Sequence, residues 1–163
     1  MSDIQIVPIA QKYIKSFYQC LDSVARERAY LIFLEAPSLA SVREFVEANI
    51  AQDVAQFVAL YQGAVVGWCD ILPNEYEGFR HSGRLGMGVH RNFRGRGIGT
   101  ALITKTIEKA RAKGLERIAL EVFASNQGAI RLYEKFGFTI EGVQQKARKL
   151  DGIYDDVILM AIL

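Results

Sequence analysis

The chain has 163 residues, is 50% hydrophobic and carries 20 Lys and Arg against 18 Asp and Glu, a net charge of +2. That is enough apolar material for one buried core without disulfide or metal staples, so a single domain spanning 1–163 is expected. The near balance of charge is too weak by itself to imply a nucleic-acid or membrane surface, and no apolar run reaches the roughly 18 residues of a transmembrane helix.

In chain order, the N-terminal stretch MSDIQIVPIAQKYIK has neither the basic segment nor the long apolar run of a secretory leader, so a cytoplasmic location is expected. Within it, IQIVPIA (4–10) reads as a first strand. YIKSFYQCLDSVARE follows with Ile14, Phe17, Tyr18 and Leu21 at helical spacing. After Pro37, SLASVREFVEANIAQ predicts a second amphipathic helix with the stripe Val42, Phe45, Val46 and Ile50. AQFVALYQGAVVGWCDIL is two β-branched runs joined at Gln62-Gly63, a hairpin signal. Cys20 and Cys69 are far apart with no CxxC, so they read as reduced, buried thiols and no metal site is expected.

The polar loop PNEYEGFRHSG leads to a strand RLGMGV, whose Gly86 and Gly88 suit a bulge. NFRGRGIGTAL then opens a helix running to about Lys113, apolar at Leu102, Ile103, Thr106, Ile107 and Ala110 and ended by Gly114. A strand at 117–124, a helix from Asn126 to Phe136 stopped by Gly137, and two strands around Asp151-Gly152 complete the order β-α-α-β-β-β-α-β-α-β-β. Such alternation gives a layered α/β or α+β sheet.

A glycine-rich turn running into a helix offers unpaired N–H groups and the positive end of a dipole, which suit phosphate oxygens. A P-loop requires Gly-Lys-Ser or Gly-Lys-Thr, and neither occurs. A dinucleotide turn requires GxGxxG, whereas Gly95, Gly97 and Gly99 make GxGxG, which argues against an oxidoreductase. Arg94, Gly97 and Gly99 do satisfy Arg/Gln-x-x-Gly-x-Gly/Ala. That pattern resembles the acetyl-CoA-binding motif of the GNAT superfamily of N-acetyltransferases. LEVFASNQGAIRLYEKFGF resembles the family's second signature: a strand, an Asn, then a helix carrying a Tyr and closing on Gly-Phe. The later half is most similar to bacterial amino-acid acyltransferases, and LEVFASN is also similar to enzymes acting on ribosomal protein N-termini.

The resemblance implies a mixed, mostly antiparallel seven-stranded sheet with about four helices, splayed between strands 4 and 5. It implies acetyl-CoA as cosubstrate, no metal, a small-molecule amine acceptor and a family in which homodimers occur. Val89 would end the strand that meets the pantetheine arm. Arg94, Gly95, Arg96, Gly97, Ile98, Gly99 and Thr100 would cradle the diphosphate, largely through backbone, and Asn126 would touch the pantetheine as well as cap its helix.

Acyl transfer needs amine deprotonation, an oxyanion donor and a proton for sulfur. A main-chain N–H near Val89 is the expected donor. Tyr133, on a face with Ala129, Leu132 and Phe136, would serve core packing by spacing alone, and by the resemblance is the acid. Glu121 sits in an apolar strand with Ala119 and Phe123 on its face. A carboxylate so placed is paired, protonated or functional, and it matches a glutamate proposed as base in the N-terminal-acetylating relatives. Glu75, Glu77 and Asp70 are rivals, as is a water chain. His81 and His90 read as loop or packing residues, Trp68 and Phe79 as pocket lining or packing, and Asp155 and Asp156 as an amine-attracting pair or a solvated strand end. Alternatives to amino-acid acetylation are peptide N-terminal acetylation and a non-catalytic acyl-CoA sensor.

Overall fold

A computed structural model describes residues 3–163. Met1 and Ser2, the first two residues of the expected 1–163 domain, lie outside the described residues. Seven strands form one sheet in the order β1-β2-β3-β4-β5-β7-β6. They are β1 (Ile4–Pro8), β2 (Ala55–Tyr61), β3 (Ala64–Pro73), β4 (Ser82–Val89), β5 (Arg117–Phe123), β6 (Thr139–Leu150) and β7 (Ile153–Ile162). All neighbours are antiparallel except β4 and β5. The helices are α1 (Ile14–Ala25), α2 (Leu39–Ala51), α3 (Ile98–Ala112) and α4 (Gln127–Lys135). None is long and apolar enough to cross a membrane, among the described residues.

The strands' two-residue period sorts the core into two layers. On one face, α1 and α2 lay Phe17, Leu21, Val42 and Val46 against Val58, Leu60 and Trp68. Phe17 meets the Trp68 ring edge-on at 5.7 Å. On the other, α3 and α4 bring Ile98, Leu102, Ile103 and Ile130 onto Cys69, Ile71, Leu85, Ile118 and Leu120. Leu102 and Ile103 are fully buried, so truncation of either to Ala costs about 2–5 kcal/mol.

The turn signals hold because each needs a left-handed backbone. Gln62 and Gly63 have φ of 50° and 80°, and Asp151 and Gly152 have 53° and 78°, the shape that matches the twist of a two-residue hairpin. Two sequence expectations fail on packing. Ile50 is 38% exposed, because Asn49 takes the inward position on α2 and donates to Gln56 Oε1 at 2.9 Å. No bulge forms at Gly86 or Gly88, since β3 and β4 pair without a register shift from Gly67/Val89 to Pro73/Gly83. Gly88 is small for another reason: a Cβ there would run into the Trp68 ring.

Candidate active site

The parallel β4–β5 pair is short. Ser82, Gly83 and Arg84 lie opposite Arg117, Ile118 and Ala119, and no pairing continues beyond them, so the two strands part into a wedge. The splay expected between strands 4 and 5 is therefore present. His90 N–H donates to Val66 O at 2.8 Å. In an antiparallel ladder, hydrogen-bonded pairs alternate, so Gly88 and Gly86 also bond to β3 and the amides of Val89 and Met87 face the wedge. Those two donors have no strand opposite them.

The wedge opens beside the glycine turn. Gly95 and Gly97 have φ of 75° and 80°, and Gly97 begins α3 with no side-chain cap. The first amides of α3, at Ile98, Gly99 and Thr100, are therefore the orphan donors of a 15-residue helix. A Cβ on Gly99 would stand 3.2 Å from Leu132 Cδ2 and 3.4 Å from Met87 Cε, so a bare residue here lets the helix entrance sit close to α4 and β4. This cradle of unpaired N–H groups fits an anionic diphosphate.

The two arginines of the turn differ. Arg94 donates through Nε to Val89 O at 2.8 Å and through both terminal nitrogens to the Glu27 carboxylate at 2.9 and 2.6 Å. Its guanidinium is committed within the fold, leaving its backbone to the turn. Arg96 makes no such pair and lies 5.3 Å over the Phe93 ring beside the turn.

Tyr133 is 7% exposed on α4, with its ring 5.8 Å from that of Phe138. Burial, and to a lesser degree the Cys69 thiol, push its phenol well above the ordinary tyrosine range. Asn126 caps α4, its side chain accepting from Ala129 N–H at 3.3 Å. Glu121 is not enclosed by its apolar strand neighbours. It lies on the open face of β5, which no helix covers, and its Oε1 is 3.6 Å from Arg84 Nη2 with both side chains substantially exposed. A shallow pocket of about 180 Å³ surrounds the pair, lined also by Arg117, Glu141 and Leu159.

The rival carboxylates separate. Glu75 lines a groove of about 490 Å³ between α2 and the end of β3, with Asn49, Leu72 and Arg80, and Glu77 starts an exposed turn. Asp70 is buried on the α1–α2 face. Asp155 is occupied by the Ser125 amide and hydroxyl, and Asp156 accepts from Lys146 N–H. His90 Nδ1 accepts from Asn92 N–H, a local cap, and His81 uses its carbonyl to hold the start of β5. Trp68 is core and Phe79 is 60% exposed. Both cysteines are free and buried, with Cys20 pushed up to about 12 by its surroundings.

Met87 and Glu27 were missed from sequence. Strand parity, counting back two residues from Val89, would have found the Met87 amide. Glu27 has no local signal, because its partner lies 67 residues away.

A profile described as the acetyltransferase (GNAT) family matches residues 18–138. The L-amino acid N-acetyltransferase AaaT of Escherichia coli K12 is 35% identical over 109 residues, 66% of this chain and 67% of that protein. The crystal structure of a GNAT-family acetyltransferase from Streptococcus pneumoniae superposes with a TM-score of 0.91 at 27% identity, covering 98% of this chain and 99% of that one. A phosphinothricin acetyltransferase from Sinorhizobium meliloti, solved in complex with acetyl-CoA, shares the fold at a TM-score of 0.91 and 18% identity, over 98% of this chain and 88% of that one. With the splayed strands, the glycine turn and the helix entrance in one place, and a family match over most of its length, the chain belongs to the GNAT family of acetyltransferases.

Proposed function

We propose that this acyltransferase moves the acetyl group of acetyl-CoA to the primary amine of an amino acid or a related small molecule by direct attack, with no covalent enzyme intermediate. The observation that carries this reading is the wedge: the unpaired Met87 and Val89 amides stand beside the uncapped glycine entrance of α3. The backbone of Arg94 to Thr100 holds the diphosphate, with Arg96 adding positive charge. The Val89 strand end and Asn126 hold the pantetheine arm. That places a thioester carbonyl in the wedge, where a β4 amide donates to the developing oxyanion.

The acceptor amine loses a proton, attacks the carbonyl carbon, and a C–N bond forms as the C–S bond breaks. Tyr133 gives its proton to the departing sulfur and regains one from the new amide nitrogen. Its burial favours the neutral phenol, the form that can donate. Of the two carboxylates flanking the wedge, Glu121 and Asp70, one receives the ammonium proton. The scheme uses no metal.

An amino-acid acceptor is supported by the relative that carries that activity in its name and by the cation Arg84, exposed on the open face beside the wedge and loosely held by Glu121. A guanidinium there suits an acceptor carboxylate. Two buried free thiols support a reducing, cytoplasmic setting. Exposed Ile140, Val143, Ile153 and Tyr154 on the last hairpin support a homodimer through β6 and β7, which sedimentation would read.

The test is release of free CoA thiol from acetyl-CoA across free amino acids, polyamines and short peptides. Acceptor-dependent release with amino acids supports the reading. Release with peptides alone would move the assignment to N-terminal acetylation, and saturable coenzyme binding without turnover on any amine would mark a sensor.

A further inference from the structure

Asp70 is the least expected ionisable group in the core. It is 7% exposed in the middle of β3, and no side-chain or backbone donor among the described residues bonds its carboxylate. Its register neighbours are Gln56 on β2 and Gly86 on β4, both on the α1–α2 face. Gln56 is 1% exposed, and its Nε2 is a buried donor with no partner. A largely buried acid with no protein donor thus stands beside a fully buried amide donor with no partner, an arrangement that internal packing does not account for.

The geometry also gives this carboxylate a direction. Asp70 Oδ1 stands 3.5 Å from the point a Cβ on Gly86 would occupy. It therefore leans over the bare backbone of β4 at the residue next to Met87, whose amide faces the wedge. Tyr133 approaches from the opposite, α3–α4 layer. Acid and carboxylate thus flank the splayed strands from the two sides of the sheet.

We propose that Asp70, reaching across Gly86 to the rim of the wedge, takes the proton from the acceptor ammonium, directly or through one water held with Gln56 Nε2. This rests on the acetyl-transfer reading above. R–NH3+ and the Asp70 carboxylate become R–NH2 and a carboxylic acid. The amine then attacks, Tyr133 completes its exchange with sulfur and nitrogen, and Asp70 returns its proton to solvent. Acetyl-CoA and R–NH3+ become the amide, CoA thiol and one proton.

Burial alone pushes Asp70 up to about 7, in the range where a base both holds and releases a proton. The groups around it leave that effect standing. Arg84 lies two pairs further along β4, opposite Leu72, and Glu121 is across the wedge on β5, paired to Arg84. Cys69 points to the other face, while the layer above contributes the uncharged Asn49 and the buried Cys20 thiol.

The experiment is the pH profile of kcat/KM for an amino-acid acceptor in wild type, Asp70→Asn and Glu121→Gln, with coenzyme affinity measured by titration. Asp70→Asn is expected to lose about 100-fold at pH 7 with coenzyme affinity unchanged. The deficit should shrink about tenfold per pH unit above 7, as free amine replaces the missing base. A structural role would give a deficit independent of pH. Should Asp70→Asn fail to fold, Gly86→Ala decides. Its methyl has room at 3.5 Å, yet stands between Asp70 and the wedge, and should slow acceptor turnover several-fold at unchanged coenzyme affinity. A wild-type profile in Asp70→Asn, full speed in that fallback variant, or loss of the acid limb in Glu121→Gln alone overturns the assignment. Absence of acceptor-dependent turnover in wild type would instead overturn the acetyl-transfer reading.

Discussion

Arg94 and Glu27 form a two-pronged ion pair, with Nη1 to Oε1 at 2.9 Å and Nη2 to Oε2 at 2.6 Å. The same guanidinium holds the Val89 carbonyl and lies 4.6 Å over the Tyr30 ring. One side chain therefore ties the glycine turn, the end of β4 and the loop after α1 together. The pair holds the Glu27 carboxyl below its ordinary range, chiefly through the hydrogen bond from Arg94.

Glu27→Gln should consequently weaken both substrates without removing a chemical group. A partly buried, charge-assisted pair of this geometry is worth about 1–3 kcal/mol, so unfolding should shift down by a few degrees in a chain of this size. KM should rise for acetyl-CoA and acceptor alike while kcat changes little. A change confined to coenzyme KM would show that Arg94 serves the phosphates and not the loop. Thermal denaturation and steady-state kinetics on one preparation read both effects.

Tyr133→Phe removes the hydroxyl that serves as proton donor in the proposed mechanism and keeps the ring that packs on Phe138. Loss of a positioned general acid typically costs about 10²–10⁴ in rate, so kcat should fall by at least a hundredfold with coenzyme affinity and melting temperature near wild type. Because burial holds the phenol well above its usual range, Tyr133 should contribute no alkaline limb to the wild-type profile below about pH 10. An alkaline limb below that value that vanishes in Tyr133→Phe would show the phenol ionising within the working range.

How far this site could be read from letters follows the kind of constraint behind each residue. Gly97, Gly63, Gly152 and Gly137 have positive φ, a local demand that few side chains meet, and the turns and helix ends predicted there are all present. Strand alternation likewise located β4 and β5, and the family resemblance implied the place where they part. Demands set by distant strands were invisible. Asn49 turns inward because Gln56 is opposite it, Gly88 is bare because Trp68 lies over it, and Arg94 is occupied because Glu27 reaches it. Glu121 was placed by its own strand's apolar letters, but that face of β5 has no helix above it.

Gly97→Ala isolates the turn. Its φ of 80° is a left-handed conformation that costs an L-residue roughly 1–2 kcal/mol, yet a Cβ there would touch nothing within 4 Å. The penalty is therefore conformational, and the turn can relieve it by tilting the amides of Ile98, Gly99 and Thr100. Coenzyme affinity should drop by tenfold or more in calorimetric titration, with the rest of the fold intact by circular dichroism. Unchanged affinity would mean that those amides do not carry the diphosphate.

Asp70 makes the last prediction, on stability instead of rate. Its carboxyl is raised from 3.8 to about 7 by burial, so between those values the folded protein binds a proton that the unfolded chain has released. Stability on this account is greatest below about pH 4, falls as pH rises through the interval, and reaches its full penalty above 7. At 1.36 kcal/mol per unit, the penalty is on the order of 4 kcal/mol at most, because the chain and water relax around a buried charge. Asp70→Asn removes the ionisation while keeping the shape. The variant should match wild type below about pH 4, where Asp70 is protonated in both states, and melt several degrees higher at pH 8, the reverse of what loss of a buried ion pair would do. Denaturant unfolding at the two pH values measures the difference directly, and an Asp70→Asn protein less stable than wild type at pH 8 would mean that the carboxylate has a stabilising partner in solution.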